Sequence, residues 1–287
     1  MDNMERYVAL IEEELAASVP ALEGELAAVP EMLRYSLESG GKRVRPLLCL
    51  EWCAAAGGDV NKALPFAAAV EFVHTYSLIH DDLPCMDNDD YRRGKLSSHK
   101  RFGEANALLA GDALLTHAFY LISQAAVEGR VTAGSAVKAA AELSRLCGAA
   151  GMIGGQYIDL AYENRAADAE ILFQQDALKT AALIEVACVL GLIAADADEE
   201  KITAARAFAK GLGLAFQITD DILEVSEEGA SSDEINGKAT YVGLMGMEQA
   251  RARAAEYTQS AVDALAILGD RAGELQQLAD ALLRRTK

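Results

Sequence analysis

Long stretches rich in alanine and leucine, at residues 103–128, 131–150, 167–195, 198–226 and 247–284, constrain this chain more than any other feature. Alanine and leucine are strong helix formers, and only five prolines interrupt the 287 residues. No stretch alternates apolar and polar residues convincingly enough for a half-buried strand, and no repeat of fixed period is present. Upstream, residues 4–17 read as an amphipathic helix, Pro20 and Pro30 bracket a short second one, and residues 46–56 form another that ends at Gly57-Gly58. Breaks are expected at Gly129, at Gly154-Gly155 and in the polar segment 226–238. With 52% hydrophobic residues the chain can bury a large core, so the expectation is an all-α fold, one helical domain over residues 1–287.

The net charge of −18 leaves no global basic footprint for nucleic acid. Anions must therefore be held by local basic clusters or through bridging metal ions. Five scattered cysteines, with no CxxC pair and no zinc spacing, fit reduced thiols in the cytoplasm. The acidic, amphipathic N-terminus does not read as a signal peptide, and no apolar run reads as charge-free enough to span a bilayer.

A long apolar stretch from Asn61 runs directly into DDLPCMDNDD, which holds Asp81, Asp82, Asp87, Asp89 and Asp90. Two carboxylates about 4 Å apart repel by roughly 4 kcal/mol at an effective dielectric near 20. Gathering them requires cations, protonation or wide separation. A second acid pair stands in FQITDDILE, where Asp220 and Glu224 share one helical face and Gln217 lies one turn before Asp220. Alone, either run would read as a solvated helix end. Facing each other, they would form a hard, oxygen-rich cage suited to Mg²⁺ ions shared with phosphate oxygens.

Three basic patches interrupt the acidic background. GGKRVRP carries Lys42, Arg43 and Arg45, and arginine forks match phosphate oxygens. Arg92, Arg93 and Lys95 follow the first acid run, and Lys179-Thr180 lies inside an apolar helix. A lysine in such surroundings wants an anionic partner. His74 shares a helix face with Asp81.

Taken in order, GGKRVRP, HTYSLIHDDLPCMDNDDYRRGK, HKRFGEANALLAGDALL, GGQYIDL, KT and FQITDDILE resemble the trans-isoprenyl diphosphate synthases, over nearly the whole chain and nearest the bacterial farnesyl/geranyl type. The resemblance implies an all-α bundle around a deep central cavity, usually a homodimer. It also implies an Mg²⁺-dependent condensation of isopentenyl diphosphate with an allylic diphosphate. Asp81, Asp87 and Asp220, with Glu224 beside them, would hold three Mg²⁺ ions, supported by Asp82. Lys42, Arg45, His74 and Arg93 would bind isopentenyl diphosphate. Arg92, Lys179, Thr180, Gln217 and Lys238 would grip the allylic partner, with Lys179 and Arg92 taking part in catalysis. Phe102 and Gln156 fall in the same motifs.

In this family bulky residues just before the first acid motif floor the product tunnel; here they are Tyr76 and Ser77. An aromatic at Tyr76 resembles the enzymes that stop at farnesyl diphosphate, with geranyl and geranylgeranyl diphosphate as alternatives. Helical geometry puts Ser77 one turn, roughly 6 Å, below Asp81, so periodicity does not single out Tyr76.

Two departures stand out. Glu224 replaces the usual final aspartate, and the segment from Val225 to Gly237 is acidic, with no basic residue before Lys238. One phosphate clamp is therefore expected to be missing. Either activity survives with a differently closed site, or the chain is a weakly catalytic partner subunit. A terpene cyclase would have no use for the second diphosphate site that GGKRVRP and Arg93 supply.

Overall fold

The structure is a computed structural model that describes residues 3–163, 165, 167–228 and 239–283. The chain folds into α-helices: α1 (Asn3–Ser18), α2 (Ala28–Leu37), α3 (Val44–Ala55), α4 (Val60–Asp81), α5 (Ser98–Phe102), α6 (Glu104–Val127), α7 (Ala133–Cys147) and α8 (Met152–Tyr162). A long helix follows as α9 (Ala169–Asp176), a π turn (Ala177–Ala181) and α10 (Ala182–Ala194). Then come α11 (Glu199–Glu228), α12 (Tyr241–Met245), α13 (Met247–Ala264), a 3₁₀ stretch (Leu265–Ala272) kinked at Gly269, and α14 (Gly273–Leu283).

One apolar core runs from Tyr7 on α1 to Leu282 on α14, with Trp52, Phe66, Phe72 and Phe208 fully buried in it. Burying a side chain of phenylalanine size contributes about 1.5–3 kcal/mol, so α3, α4 and α10 are fixed mainly by this packing. A smaller cluster of Leu172, Ile218, Tyr241 and Ala250 fastens α9, α12 and α13 to α11.

Several local expectations change. Pro30 lies inside the first turn of α2, and Pro46 inside that of α3, where the amide lost to proline would have had no helical partner. Pro65 sits deeper, within α4. Its ring leaves the carbonyl of Asn61 without a helical donor, and Arg130 Nη2 donates to that oxygen at 3.3 Å. The glycine pair 154–155 does not break a helix; it lies inside α8. The break falls earlier, at 148–151. A Cβ on Gly155 would sit 2.3 Å from the Lys179 amide, so α8 and the π turn touch backbone to backbone.

A two-residue hairpin, β1 (Tyr91–Arg92) and β2 (Lys95–Leu96), went unseen in the sequence because four residues carry no alternation. Its turn is Arg93-Gly94, both with positive φ, as a two-residue hairpin of the I′ type requires. The expectation that no stretch could span a bilayer is also corrected. Helices α6 and Ala169–Ala194 are long and apolar enough by length and composition, and most of the second is buried in the protein.

Candidate active site

Helix α4 delivers the first acid motif. Asp81 closes the helix, and the chain then folds back through Leu83–Met86, so that the Asp87 amide donates to the Asp81 carbonyl at 2.9 Å. This turn brings Asp87 beside Asp81. Burial pushes the Asp81 carboxyl up to about 6; Lys179 and Arg92 oppose the shift, while Asp87 and Asp159 add to it. Asp82 points the other way. It is almost fully buried and accepts from the Arg92 guanidinium, which also reaches Asp89 at 3.2 Å. Arg92 therefore braces the acid loop here, in addition to the substrate contact expected of it.

Lys179 has the anionic partner its apolar surroundings call for. Its Nζ lies 2.6 Å from Oδ2 of Asp159 on α8, whose other oxygen accepts from Gln175 at 3.0 Å. The π turn matters because a plain α-helix would rotate Lys179 and Thr180 relative to Asp176, and π turns recur at functional sites. Asp159 went unnoticed in the sequence as a site residue. It lies within GGQYIDL, but spacing along one helix says nothing about which lysine stands on another.

Two cavities meet at Lys179. One, of about 550 Å³, is lined by Arg45, His74, Asp81, Lys179 and Thr180 at its polar part, and by Tyr76, Leu115, Met152, Leu160 and Leu183 elsewhere. Ser77 and Gln156 also face it, and Gln156 Nε2 is buried without a protein partner. The other, about 230 Å³ and polar, is lined by Asp159, Asp176, Lys179, Gln217 and Asp221. Helix α11 thus brings Gln217 and Asp221 to the lysine that the first cavity shares, whereas Asp220 and Glu224 line neither cavity. Asp220 and Glu224 are part-buried on that helix. Asp221 is committed elsewhere: it accepts from the Tyr241 amide at 2.6 Å, fastening α12 to α11. Phe102 packs edge-on against Tyr35. Lys238 and the acidic residues 233–234 lie outside the described residues.

The basic patch forms a third cavity, of about 420 Å³, lined by Lys42, Arg45, His74 and Arg93 together with Arg43 and Glu71. Arg45 Nη1 approaches His74 Nε2 at 3.5 Å, and Arg45 Nε is buried without a protein partner. Burial, with Arg45 and Arg93 nearby, holds His74 well below the usual imidazole range, so it is neutral. Arg93 donates to the Gly40 carbonyl. Gly41 has a φ of +137°, and a Cβ there would lie 2.7 Å from the Arg93 guanidinium, so only glycine lets that side chain fold over the loop. Arg45 and His74 line both this cavity and the larger one, which joins the basic and acidic parts into one site.

The donor set suits Mg²⁺. Among the described residues no group of three or more His, Cys, Asp or Glu side chains lies close enough to hold a metal alone. Mg²⁺ typically takes one or two carboxylates and completes its octahedron with water and phosphate oxygens. Asp81, raised toward neutrality by burial beside Asp87, is the kind of carboxylate that a divalent cation would relieve.

The polyprenyl synthetase family profile matches residues 27–280. The chain is 43% identical to the heterodimeric geranylgeranyl pyrophosphate synthase large subunit 1 of Arabidopsis thaliana, covering 89% of this chain and 71% of that one. It is 42% identical to a dimethylallyltranstransferase of Fischerella ambigua, covering 99% and 84%. The crystal structure of an FPP/GFPP synthase from Zymomonas mobilis superposes with a TM-score of 0.89 at 36% identity, covering 98% and 97%. By this family match, these identities and its all-α helical bundle, the chain belongs to the polyprenyl synthetase family, the trans-isoprenyl diphosphate synthases.

Proposed function

We propose that the protein is an Mg²⁺-dependent trans-prenyltransferase that extends an allylic diphosphate with isopentenyl diphosphate, and that its main product is geranylgeranyl diphosphate. The observation that carries the reaction is the single cavity in which Arg45, His74, Asp81 and Lys179 share walls with Tyr76, Leu115, Met152 and Leu183. A prenyl diphosphate has this division, with a charged head and an apolar tail. The product assignment follows the plant relatives, which are named geranylgeranyl pyrophosphate synthases at 43–45% identity. Farnesyl diphosphate, expected from the aromatic at Tyr76, is the second reading; buried Tyr76 lining the cavity favours it.

Asp81, Asp87, Asp220 and Glu224 would hold three Mg²⁺ ions on the allylic diphosphate, and Lys179, Thr180, Gln217 and Lys238 would take its remaining oxygens. Bound Mg²⁺ would supply the positive charge that lets the diphosphate depart. Lys42, Arg45, neutral His74 and Arg93 would fix isopentenyl diphosphate so that its double bond faces the allylic carbon. The allylic carbon–oxygen bond breaks, the new carbon–carbon bond forms, and the proton lost passes to the released diphosphate. Apolar walls exclude water, which would quench the cation. The exposed Leu108, Leu109 and Tyr120 on α6 support the homodimer as part of the proposal. Four buried, free thiols support the cytoplasmic setting.

Incubation with isopentenyl diphosphate, dimethylallyl diphosphate and Mg²⁺, with products resolved by chain length, tests both statements. A C20 product is expected; a C15 end point favours the second reading, and no condensation removes the enzyme assignment.

A further inference from the structure

All three cations of GGKRVRP, Lys42, Arg43 and Arg45, line the basic cavity, but Arg43 has its guanidinium engaged with the protein itself. Its backbone is left-handed, with φ 48°, at the residue before α3, and its side chain is almost fully buried. Nε donates to Glu12 Oε1 at 2.6 Å and Nη2 to Glu12 Oε2 at 3.3 Å. Nη1 donates to Glu71 Oε1 at 2.8 Å, and Nη2 also to the Leu37 carbonyl at 2.6 Å. A guanidinium has five N–H donors, and these four bonds leave it little with which to meet a substrate.

Glu71 is the reason such a residue is needed. It is buried on α4, three residues before His74, and it is the one carboxylate among the described residues lining the basic cavity. Its charge is felt by both Arg45 and Arg93. A buried carboxylate without a partner recruits the nearest cation. Without Arg43, those nearest cations are the ones assigned to the diphosphate.

We propose that Arg43 is a positioning residue of the isopentenyl diphosphate site, which occupies Glu71 so that Arg45 and Arg93 remain available to the diphosphate. Through Glu12 it also ties the cation loop to the first helix. The proposal rests on the reaction assigned above. A pair serving stability alone would affect both substrates alike, or neither; this one acts on a single substrate, and removing the carboxylate offsets the loss of the arginine.

The test measures the Kd of isopentenyl diphosphate by calorimetry, together with the KM of each substrate, in wild type, Arg43→Met, Arg43→Met/Glu71→Gln and Glu12→Gln, with thermal melting as the check on folding. Arg43→Met is expected to weaken isopentenyl diphosphate binding roughly tenfold or more while the allylic KM stays within about twofold. The double variant is expected to recover to within about threefold of wild type. Glu12 is half exposed, so Glu12→Gln folds whether or not Arg43→Met does; it is expected to weaken isopentenyl diphosphate binding about twofold to fivefold. A double variant no better than Arg43→Met, equal effects on both substrates, or unchanged binding in Glu12→Gln would overturn the role of Arg43. Wild-type protein that binds isopentenyl diphosphate yet makes no product would remove the assigned reaction, and the Kd values would still judge Arg43.

Discussion

Lys179 and Asp159 form an ion pair, 2.6 Å from Nζ to Oδ2, at the point where the two substrate-side cavities meet. The lysine expected to hold a diphosphate is thus held in advance by a carboxylate of another helix. Lys179→Met is expected to lower kcat/KM by about 10²–10³, the loss typical of a group that stabilises departing charge. Asp159→Asn keeps the contact from Gln175 and is expected to lower kcat/KM by only about tenfold, with a stability loss of about 1 kcal/mol, since Lys179 retains some access to water. Steady-state kinetics and urea unfolding read both. Full activity in Lys179→Met would contradict the assignment.

If carboxylates from two helices share metal with the ligand, as proposed, Mg²⁺ alone should bind weakly, in line with the lack of a three-residue metal cluster among the described residues. Melting curves are expected to move little with Mg²⁺ or with inorganic pyrophosphate added singly, and to rise by about 5 °C or more with both together. Asp81→Asn and Asp220→Asn should each lose most of the joint shift. A full shift with Mg²⁺ alone would mean a preformed protein cage.

Tyr76 lines the large cavity with its hydroxyl buried and unpartnered. Tyr76→Ala is expected to lengthen the product distribution by at least one C5 unit. Tyr76→Phe should leave products unchanged and keep or raise stability by up to about 1 kcal/mol, because an unsatisfied buried hydroxyl contributes nothing favourable. An unchanged distribution in Tyr76→Ala would exclude it as the floor.

Glu51 on α3 is buried, its Oε1 has no partner, and burial, then Glu274, pushes its carboxyl up to about 7. A pKa above the unfolded value means that the folded state holds the proton more tightly. The stabilisation is complete below the unfolded value, about 4.5, and is lost as pH rises through about 7. Wild type is expected to lose about 1–3 kcal/mol between pH 5 and pH 8 from this group, whereas Glu51→Gln should hold a flatter profile and be the more stable protein at pH 8. Urea unfolding at the two pH values decides it, and parallel profiles would rule Glu51 out as the source.

Helical content, the order of the motifs and the facing of His74 and Asp81 on one helix follow from composition and a 3.6-residue period, which are local properties of the chain. The need of Lys179 for an acid was likewise legible, since a lysine flanked by apolar residues cannot be buried alone. Its partner was not, because Asp159 reaches it only through the contact of Gly155 with the π turn. The same holds for Asp82, which reads like its neighbour Asp81 in sequence but turns to Arg92, and for Arg43, which reads like Arg45 but is enclosed by Glu12 and Glu71. Successive residues on a helix diverge by about 100° of direction, and which of two neighbours meets the cavity depends on the helices packed around it. Which chemical groups this protein carries, and on which helices, is already written along the chain. Which of those charges neutralise one another and which stay open to a ligand is settled by the packing of the helices, because electrostatic pairing falls with distance in space and takes no account of separation along the chain.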